Sequence, residues 1–356
     1  MIEEGKADMV TAASEKLNDA VNAAESAKAS DGETALTAVI DQLIEAMEYT
    51  EAGKTLAEKL MDMVGIYDTK YAEAVEAGIS SSDQTFEAML DEVGGAVSTE
   101  QFESNEQIQG WIDGLPATWI SYVMGQDGVE SATAEEPVDI TGILFNPDFN
   151  GGNANYWTVD ALGQNNGYQN NSTYTNDPEG TLPEEERVTL DQFIECWRSG
   201  AVLTDGAISQ KLGAALPQGT YILQAEGHAT RQMGYPEGGI QGVNLTVTDG
   251  TNSWETPMGV PEGVSGAAPA RYQVTFQSDG KTILTVGLFV KETNANWIAA
   301  DNFKLFYAGS DYDAIESIAA DATANKPSAI YNLAGQRVQK AVKGLYIING
   351  KKIVVK

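Results

Sequence analysis

One cysteine, Cys196, and one histidine, His228, are all that 356 residues supply of the two side chains most used for metal and nucleophile chemistry. A lone Cys closes no disulfide within the chain, and one Cys with one His cannot furnish a four-ligand Cys/His zinc site. Positive charge is scarce as well: 21 Lys and Arg stand against 52 Asp and Glu, a net charge of −31. Such a chain repels phosphate backbones, so nucleic acid is not an expected partner, and the acidity reads as a solubility device. No run of about 18 apolar residues occurs, so no membrane span is expected. The opening Met1-Ile2-Glu3-Glu4-Gly5 has neither a basic nor an apolar stretch, so no secretory leader is read in this sequence.

What is present allows two or three domains, and a hydrophobic share of 42% is enough for a real core. The charge is uneven: −23 over residues 1–136, −11 over 137–308 and +3 over 309–356. Residues 1–126 are rich in Ala, Glu, Leu and Met. Apolar residues recur there at helical spacing, as in Leu36, Val39, Ile40, Leu43, Ile44 and Met47. Ser30-Asp31-Gly32-Glu33, Ser81-Ser82-Asp83-Gln84 and Ser98-Thr99-Glu100-Gln101 are capping-box patterns, and Gly53, Gly78 and Gly94-Gly95 are candidate stops. The expectation is a bundle of four or five amphipathic helices, with Trp111 and Trp119 in its core. Small, acidic and Pro residues over 127–138 read as a linker.

From residue 139 to 308 the period is that of strands. Strands are expected over 140–145, 156–161, 193–197, 207–212, 220–225, 243–248, 272–277, 282–290 and 297–307. Tyr272, Val274 and Phe276 alternate with polar residues, as in a half-buried antiparallel strand, and Ser278-Asp279-Gly280-Lys281 supplies turn chemistry. Many strands and turns with little helix predict a sandwich. The polar stretch 163–186 reads as a long loop, of a length that tends to be functional or mobile. Residues 309–327 are a second linker, and 328–356 a small β-module. The fold class is multi-domain α + β: helical bundle, antiparallel sandwich, small C-terminal β-module.

Catalytic motifs are absent: no Gly-x-Ser-x-Gly elbow, His-Glu-x-x-His helix or phosphate-binding Gly-rich loop occurs. Cys196 lies among Phe193, Ile194 and Trp197, the setting of a buried, inert thiol. The chain is expected not to be an enzyme, with an accessory part of a glycoside hydrolase as the alternative.

Asn146-Pro147-Asp148-Phe149-Asn150-Gly151-Gly152 followed by Trp157, and Trp297-Ile298-Ala299-Ala300-Asp301-Asn302-Phe303 near the end, resemble the opening and closing strands of galactose-binding-like jelly-roll carbohydrate-binding modules. Ile208–Leu212 and Leu216–Tyr221 are similar to the hairpin between them. The resemblance covers about half the chain. It implies a jelly-roll sandwich that binds a poly- or oligosaccharide. It also implies a structural Ca²⁺ clipping the two strands, with Asp148, Asn150 and Asp301 as its ligands; Asn150 stands where such modules usually carry Glu. Sugar binding needs flat aromatic faces and planar polar groups. Trp254, between polar residues, is the first stacking candidate, with Tyr168, Tyr174 and Tyr235; Arg231, His228 and Asn244 are the polar partners. Trp157 and Trp297 read as core, and Trp197 as either.

The tail, Ile330-Tyr331-Asn332-Leu333-Ala334-Gly335-Gln336-Arg337-Val338 with Lys343-Gly344-Leu345-Tyr346-Ile347-Ile348-Asn349-Gly350-Lys351-Lys352, resembles the C-terminal sorting domains of type IX (Por) secretion. That implies an extracellular or outer-membrane-surface location in a Gram-negative bacterium. The function expected is secreted or surface-exposed, non-catalytic glycan binding, with a structural or adhesive surface protein that binds other surface proteins as the alternative.

Overall fold

The structure, a computed structural model, describes residues 10–28, 31–234, 236–259 and 268–310, and the backbone of four short strands beyond residue 329. Residues 1–312 form one compact unit and 313–356 a second. The first unit opens with helices α1 (Thr11–Ser26), α2 (Glu33–Glu76), α3 (Thr85–Thr99) and α4 (Asn105–Met124). The 44-residue α2 runs straight through Gly53, one of the expected stops. A Cβ there would come within 2.5 Å of Asn105 Oδ1 and 3.2 Å of Val10, so this glycine serves close helix approach. Gly94 and Gly95 lie inside α3, which ends on Glu100 in the left-handed region (φ 52°). Gly78 (φ 78°) does follow the end of α2. The α4 start is capped by Ser104, whose hydroxyl accepts from the Gln107 N–H at 3.2 Å.

Strands β1 (Val138–Asp139), β2 (Thr158–Val159), β3 (Asn165–Gln169), β4 (Tyr174–Thr175), β5 (Thr189–Leu190), β6 (Phe193–Trp197), β7 (Gly206–Lys211), β8 (Gly219–Thr230), β9 (Val243–Thr248), β10 (Ser253–Pro257), β11 (Ala270–Ser278), β12 (Thr285–Val290) and β13 (Trp297–Tyr307) follow. Eleven of them make two antiparallel sheets, and β4 and β5 pair only with each other. One runs β11-β8-β13-β6-β3, with β1 paired to β13; the other runs β10-β9-β12-β7-β2. From β6 onward the chain passes from sheet to sheet at nearly every connection, the path of a jelly roll. Tyr221, Leu223 and Ala225 of β8 and Leu245, Val247 and Leu288 of the facing sheet are fully buried between the layers.

Of the expected strands, 282–290 begins only at Thr285, and two others depart further from their sequence pattern. Residues 140–145 instead turn through a 3₁₀ segment, Thr141–Ile143, begun when Asp139 Oδ1 accepts from the Thr141 N–H (2.8 Å). Over 156–161 only Thr158 and Val159 join a ladder, and Tyr156, at φ 72°, lies outside extended conformation. Conversely, β8 continues five residues past Ala225. Its outward residues Glu226, His228 and Thr230 are polar yet buried, because the β4–β5 hairpin, whose first strand falls inside the stretch 163–186 read as a loop, lies across this face. Tyr174, Val188 and Leu190 of the hairpin region pack on Phe193 and Ala299. Arg271 ties the cover down: its guanidinium donates to Glu226 Oε1 (3.0 and 2.7 Å) and to the Glu185 and Arg187 carbonyls (2.7 and 3.3 Å).

The buried core runs without a break from Leu60, Phe86 and Trp119 of the helices to Leu144, Phe149 and Leu288 of the sandwich. Residues 127–138 therefore connect two layers of one unit: Val129 is buried and β1 is part of a sheet. Lys70 of α2 fastens the layers. Its ammonium donates to the Gly142 and Leu144 carbonyls at 2.9 and 2.7 Å and lies 4.6 Å over the Phe145 ring. The Trp119 indole N–H donates to the same Gly142 oxygen (3.0 Å).

The second unit is a four-stranded antiparallel sheet, β14 (Ile330–Asn332), β15 (Arg337–Val338), β16 (Gly344–Ile348) and β17 (Lys351–Val355), in the order β15-β14-β16-β17. The connections between these strands, 333–336, 339–343 and 349–350, lie outside the described residues.

Removing Lys70 strands the Leu144 carbonyl at the joint and leaves the Gly142 carbonyl with the Trp119 N–H. Lys70→Met keeps the apolar stem and is expected to lower unfolding free energy by about 1–3 kcal/mol. Urea unfolding followed by helical circular dichroism and tryptophan fluorescence checks this, and the two probes are expected to shift together.

Candidate functional site

The hairpin covers one outer face of the sandwich; the outer face of the β10-β9-β12-β7-β2 sheet carries a cleft. In β12, Val286, Leu288 and Val290 point inward, which turns Gly287 and Phe289 outward. Phe289 is half-buried and pairs across the ladders with Asn244 of β9 and Ala207 of β7. Around it opens a cleft of about 400 Å³ walled by Asp160, Asp205, Asn244, Glu255 and Lys291. The walls are braced by the backbone. Asp160 Oδ2 accepts from the Ala207 N–H (2.8 Å), and Asp205 Oδ1 accepts from the Glu292 N–H (2.7 Å). Asn244 Nδ2 donates to Glu255 Oε2 (3.2 Å). A Cβ on Gly287 would come within 2.1 Å of the Ile208 carbonyl oxygen, so the sheet beside Phe289 stays flat and bare. One aromatic floor with carboxylate, amide and ammonium walls matches a ligand that offers C–H faces and hydroxyls.

Of the residues expected to bind ligand, Asn244 lines this cleft; the others are elsewhere. The sequence places Trp254 among polar loop residues, but the structure puts it in β10 opposite Val247, on the inward parity. It is half-buried, with its ring 6.2 Å from Phe276. Tyr168 is in β3, its hydroxyl donating to Gln192 Oε1 at 3.0 Å. Tyr235 lies outside the described residues. Arg231 follows β8, and its Nε is buried without a hydrogen-bond partner among the described residues. His228 is fully buried beneath the hairpin, with neither ring nitrogen hydrogen-bonded among the described residues. Tyr174 and Trp297 meet it edge-on at 5.9 and 4.3 Å. Trp157 is core, its N–H shared by the Phe145 and Asn146 carbonyls (both 3.0 Å). Cys196 is buried, and desolvation pushes its thiol up to about 12.

Asp148, Asn150 and Asp301 are brought into one neighbourhood. Burial, with repulsion from Asp148, Asp191 and Glu226, pushes the Asp301 carboxyl up to about 8, although the Asn302 N–H opposes it. Crowded carboxylates of this kind favour a cation, but Asn150 as oriented does not fit one. Its amide nitrogen faces Asp148 Oδ2 (2.8 Å) and its oxygen accepts from Gln192 (3.0 Å). Among the described residues, no three or more His, Cys, Asp or Glu side chains are grouped to hold a metal ion.

The signal for Phe289 was in the strand itself: an aromatic on the opposite parity to Val286, Leu288 and Val290. Asp160, Asp205, Glu255 and Lys291 had no such signal, since only the fold gathers them.

No family model matches the chain, and no curated protein matches it. Among solved structures it is similar to a cyclase from Fischerella sp. TAU, with 15% identity over 44% of this chain and 86% of that one (TM-score 0.31). It is also similar to TmCBM61, solved with β-1,4-galactotriose, with 17% identity over 46% and 97% (TM-score 0.26). A third is the CBM22-1 xylan-binding domain of Paenibacillus barcinonensis Xyn10C, with 12% identity over 46% and 92% (TM-score 0.28). These scores are low and assign no activity. They do overturn one expectation. Cyclases, which are enzymes, stand among these structures, so the sandwich is no ground for calling the chain a non-enzyme. Among the described residues no helix is long and apolar enough to cross a membrane.

Burial holds the His228 ring down at about 3, far below its ordinary 6.5. The unfolded chain takes up this proton as pH falls through 6.5 and the folded chain does not until about 3, so stability is lost across that window on acidification. His228→Met is expected to flatten the acid limb by about 1.4 kcal/mol per pH unit between those limits. Urea midpoints measured from pH 7 to 4 check it.

Proposed function

We propose that this protein binds a neutral oligo- or polysaccharide across the outer face of the five-stranded sheet, and that it does so outside the cell. Phe289 provides the stacking floor. Asn244, Asp160, Asp205, Glu255 and Lys291 meet the sugar hydroxyls. The observation that carries the reading is the exposed cleft around an outward aromatic whose polar walls are already held by backbone N–H groups. Pre-set walls reduce the ordering cost of binding. The likeness of the tail to type IX sorting domains supports export and release or attachment at the surface.

Phe289→Ala is expected to weaken binding to the sheet-face cleft about tenfold or more, the usual worth of one aromatic stack, with little change in melting temperature. Glycan arrays and affinity electrophoresis on plant and host polysaccharides measure it, and complete absence of binding by the intact chain sinks the proposal.

A structural Ca²⁺ held by Asp148 and Asp301 belongs to the same proposal, since a divalent cation would relieve the repulsion at Asp301. Addition of a chelator is then expected to lower the melting temperature, and Asp301→Asn to remove that response. An unchanged melting curve removes calcium from the reading.

A further inference from the structure

The geometry points to a second saccharide site, built jointly by helix α2 and the opening loop of the sandwich. It shares no lining residue with the Phe289 cleft and does not depend on it. A cleft of about 860 Å³ opens there between Asp62, Gly65, Ile66 and Glu73 of α2 and the segment 141–156. A cavity of that size admits several sugar rings.

Its aromatic element is Tyr156, 50% exposed at the rim. The ring is backed by Phe145, with centroids 5.2 Å apart and planes 40° from each other. An exposed aromatic braced from behind is a ready platform for the C–H face of a sugar. Its placement is costly and firmly held. Tyr156 has φ 72°, a region that bulky L-residues avoid. Gln210 fixes the loop by accepting from the Phe145 N–H (2.9 Å) and donating to the Phe145 and Tyr156 carbonyls (2.8 and 3.3 Å).

The polar wall is made of amides. Asn146 spends its Nδ2 on the Asn153 and Asn155 carbonyls (2.9 and 3.3 Å), which holds the loop open around the cleft. The exposed Asn155 side chain makes no hydrogen bond among the described residues, so its donor and acceptor are available to a ligand. Charge selects the ligand class. Asp62, Glu73 and Asp148 border the cleft, while its lysine, Lys70, is committed to the Gly142 and Leu144 carbonyls. An anionic ligand would find no cation to pair with, and a neutral, hydroxyl-rich chain meets amides, carboxylates and an aromatic face. With the Phe289 cleft, the site would give one chain two points of attachment to a polysaccharide and a gain in avidity.

Gly65 provides the decisive variant. A Cβ at this helical position meets nothing within 4 Å. Gly65→Gln therefore narrows the cleft with a neutral side chain while replacing glycine by a better helix former, and the fold is expected to be kept or stabilised. Tyr156→Asn removes the platform but keeps a residue that tolerates positive φ. The full chain would be titrated calorimetrically with xylo-, cello- and galactohexaose. In a Phe289→Ala background, binding of at least one hexaose is expected to persist. Adding Gly65→Gln, or Tyr156→Asn, is expected to weaken that residual binding about tenfold or more at an equal or higher melting temperature for Gly65→Gln. Residual binding untouched by Gly65→Gln overturns the junction site, as does loss of all binding in Phe289→Ala alone. Binding that Gly65→Gln removes but Phe289→Ala leaves intact supports the junction site and overturns the sheet-face cleft.

Discussion

The ammonium of Lys70, held by the carbonyls of Gly142 and Leu144, is the contact on which the first unit turns. A helix and a 3₁₀ turn have little reason to pack at a fixed angle without a specific tie, because apolar contact is non-directional. Lys70 and Trp119 supply direction: three N–H donor contacts converge on two carbonyls that the turn leaves without ladder partners. Desolvation pulls the ammonium down to about 8, and Glu73 opposes that. The carbonyls and the Phe145 face favour the charged form as well. Once residues 142–145 are fixed, the Phe145 and Asn146 carbonyls receive Trp157, and Gln210 of β7 closes onto Phe145 and Tyr156. The chain then enters β2 in register with β7, and Asp160 reaches the Ala207 N–H. A helix residue thus sets the position of a cleft wall in the sandwich.

The other outer face follows a different logic. Glu226, His228 and Thr230 would be ordinary solvent-facing residues were the β4–β5 hairpin not laid over them. The hairpin brings few apolar residues, chiefly Tyr174, Val188 and Leu190. Arg271 makes up for that by bridging Glu226 to two backbone carbonyls of the covering segment. The cost is a histidine with no partner for either ring nitrogen among the described residues, tolerable only because the ring stays neutral between aromatic edges.

The sequence was most informative where one face of a strand is core. The bounds of β6, β9 and β13 match the runs expected from the sequence, and Trp111 and Trp119 are core as expected. It misled where tertiary contacts override the local pattern. Gly53 looks like a helix stop, yet it lets Asn105 approach α2. Trp254 looks exposed because its neighbours are polar, yet in an edge strand polar neighbours occupy the outward parity and the indole the inward one. β8 looks finished at Ala225 because nothing local tells that a distant hairpin will bury its polar residues. The helices and the sandwich differ in composition so sharply that a boundary between them is natural, but Lys70 and the continuous core join them. Of the Phe289 cleft, Asn244 was legible by chemistry and Phe289 by parity; the acidic walls come from three separate connections and have no common sequence mark.

Charge gives the two clefts a common character. Residues 1–136 carry −23 and the sandwich a further −11, so an approaching anion meets repulsion over a Debye length of about 8 Å at physiological salt. Inside the clefts the balance is unchanged, since Lys70 is spent on structure and Lys291 faces Asp160, Asp205 and Glu255 across the Phe289 floor. A cationic partner would be drawn in by the field, but it would gain nothing from an outward Phe289 or a braced, half-exposed Tyr156 beyond what any acidic surface offers. A neutral polyhydroxylated ligand is indifferent to the net field. It uses the aromatic faces and the fixed acceptors together, and that joint use makes these two clefts more than patches of an acidic surface.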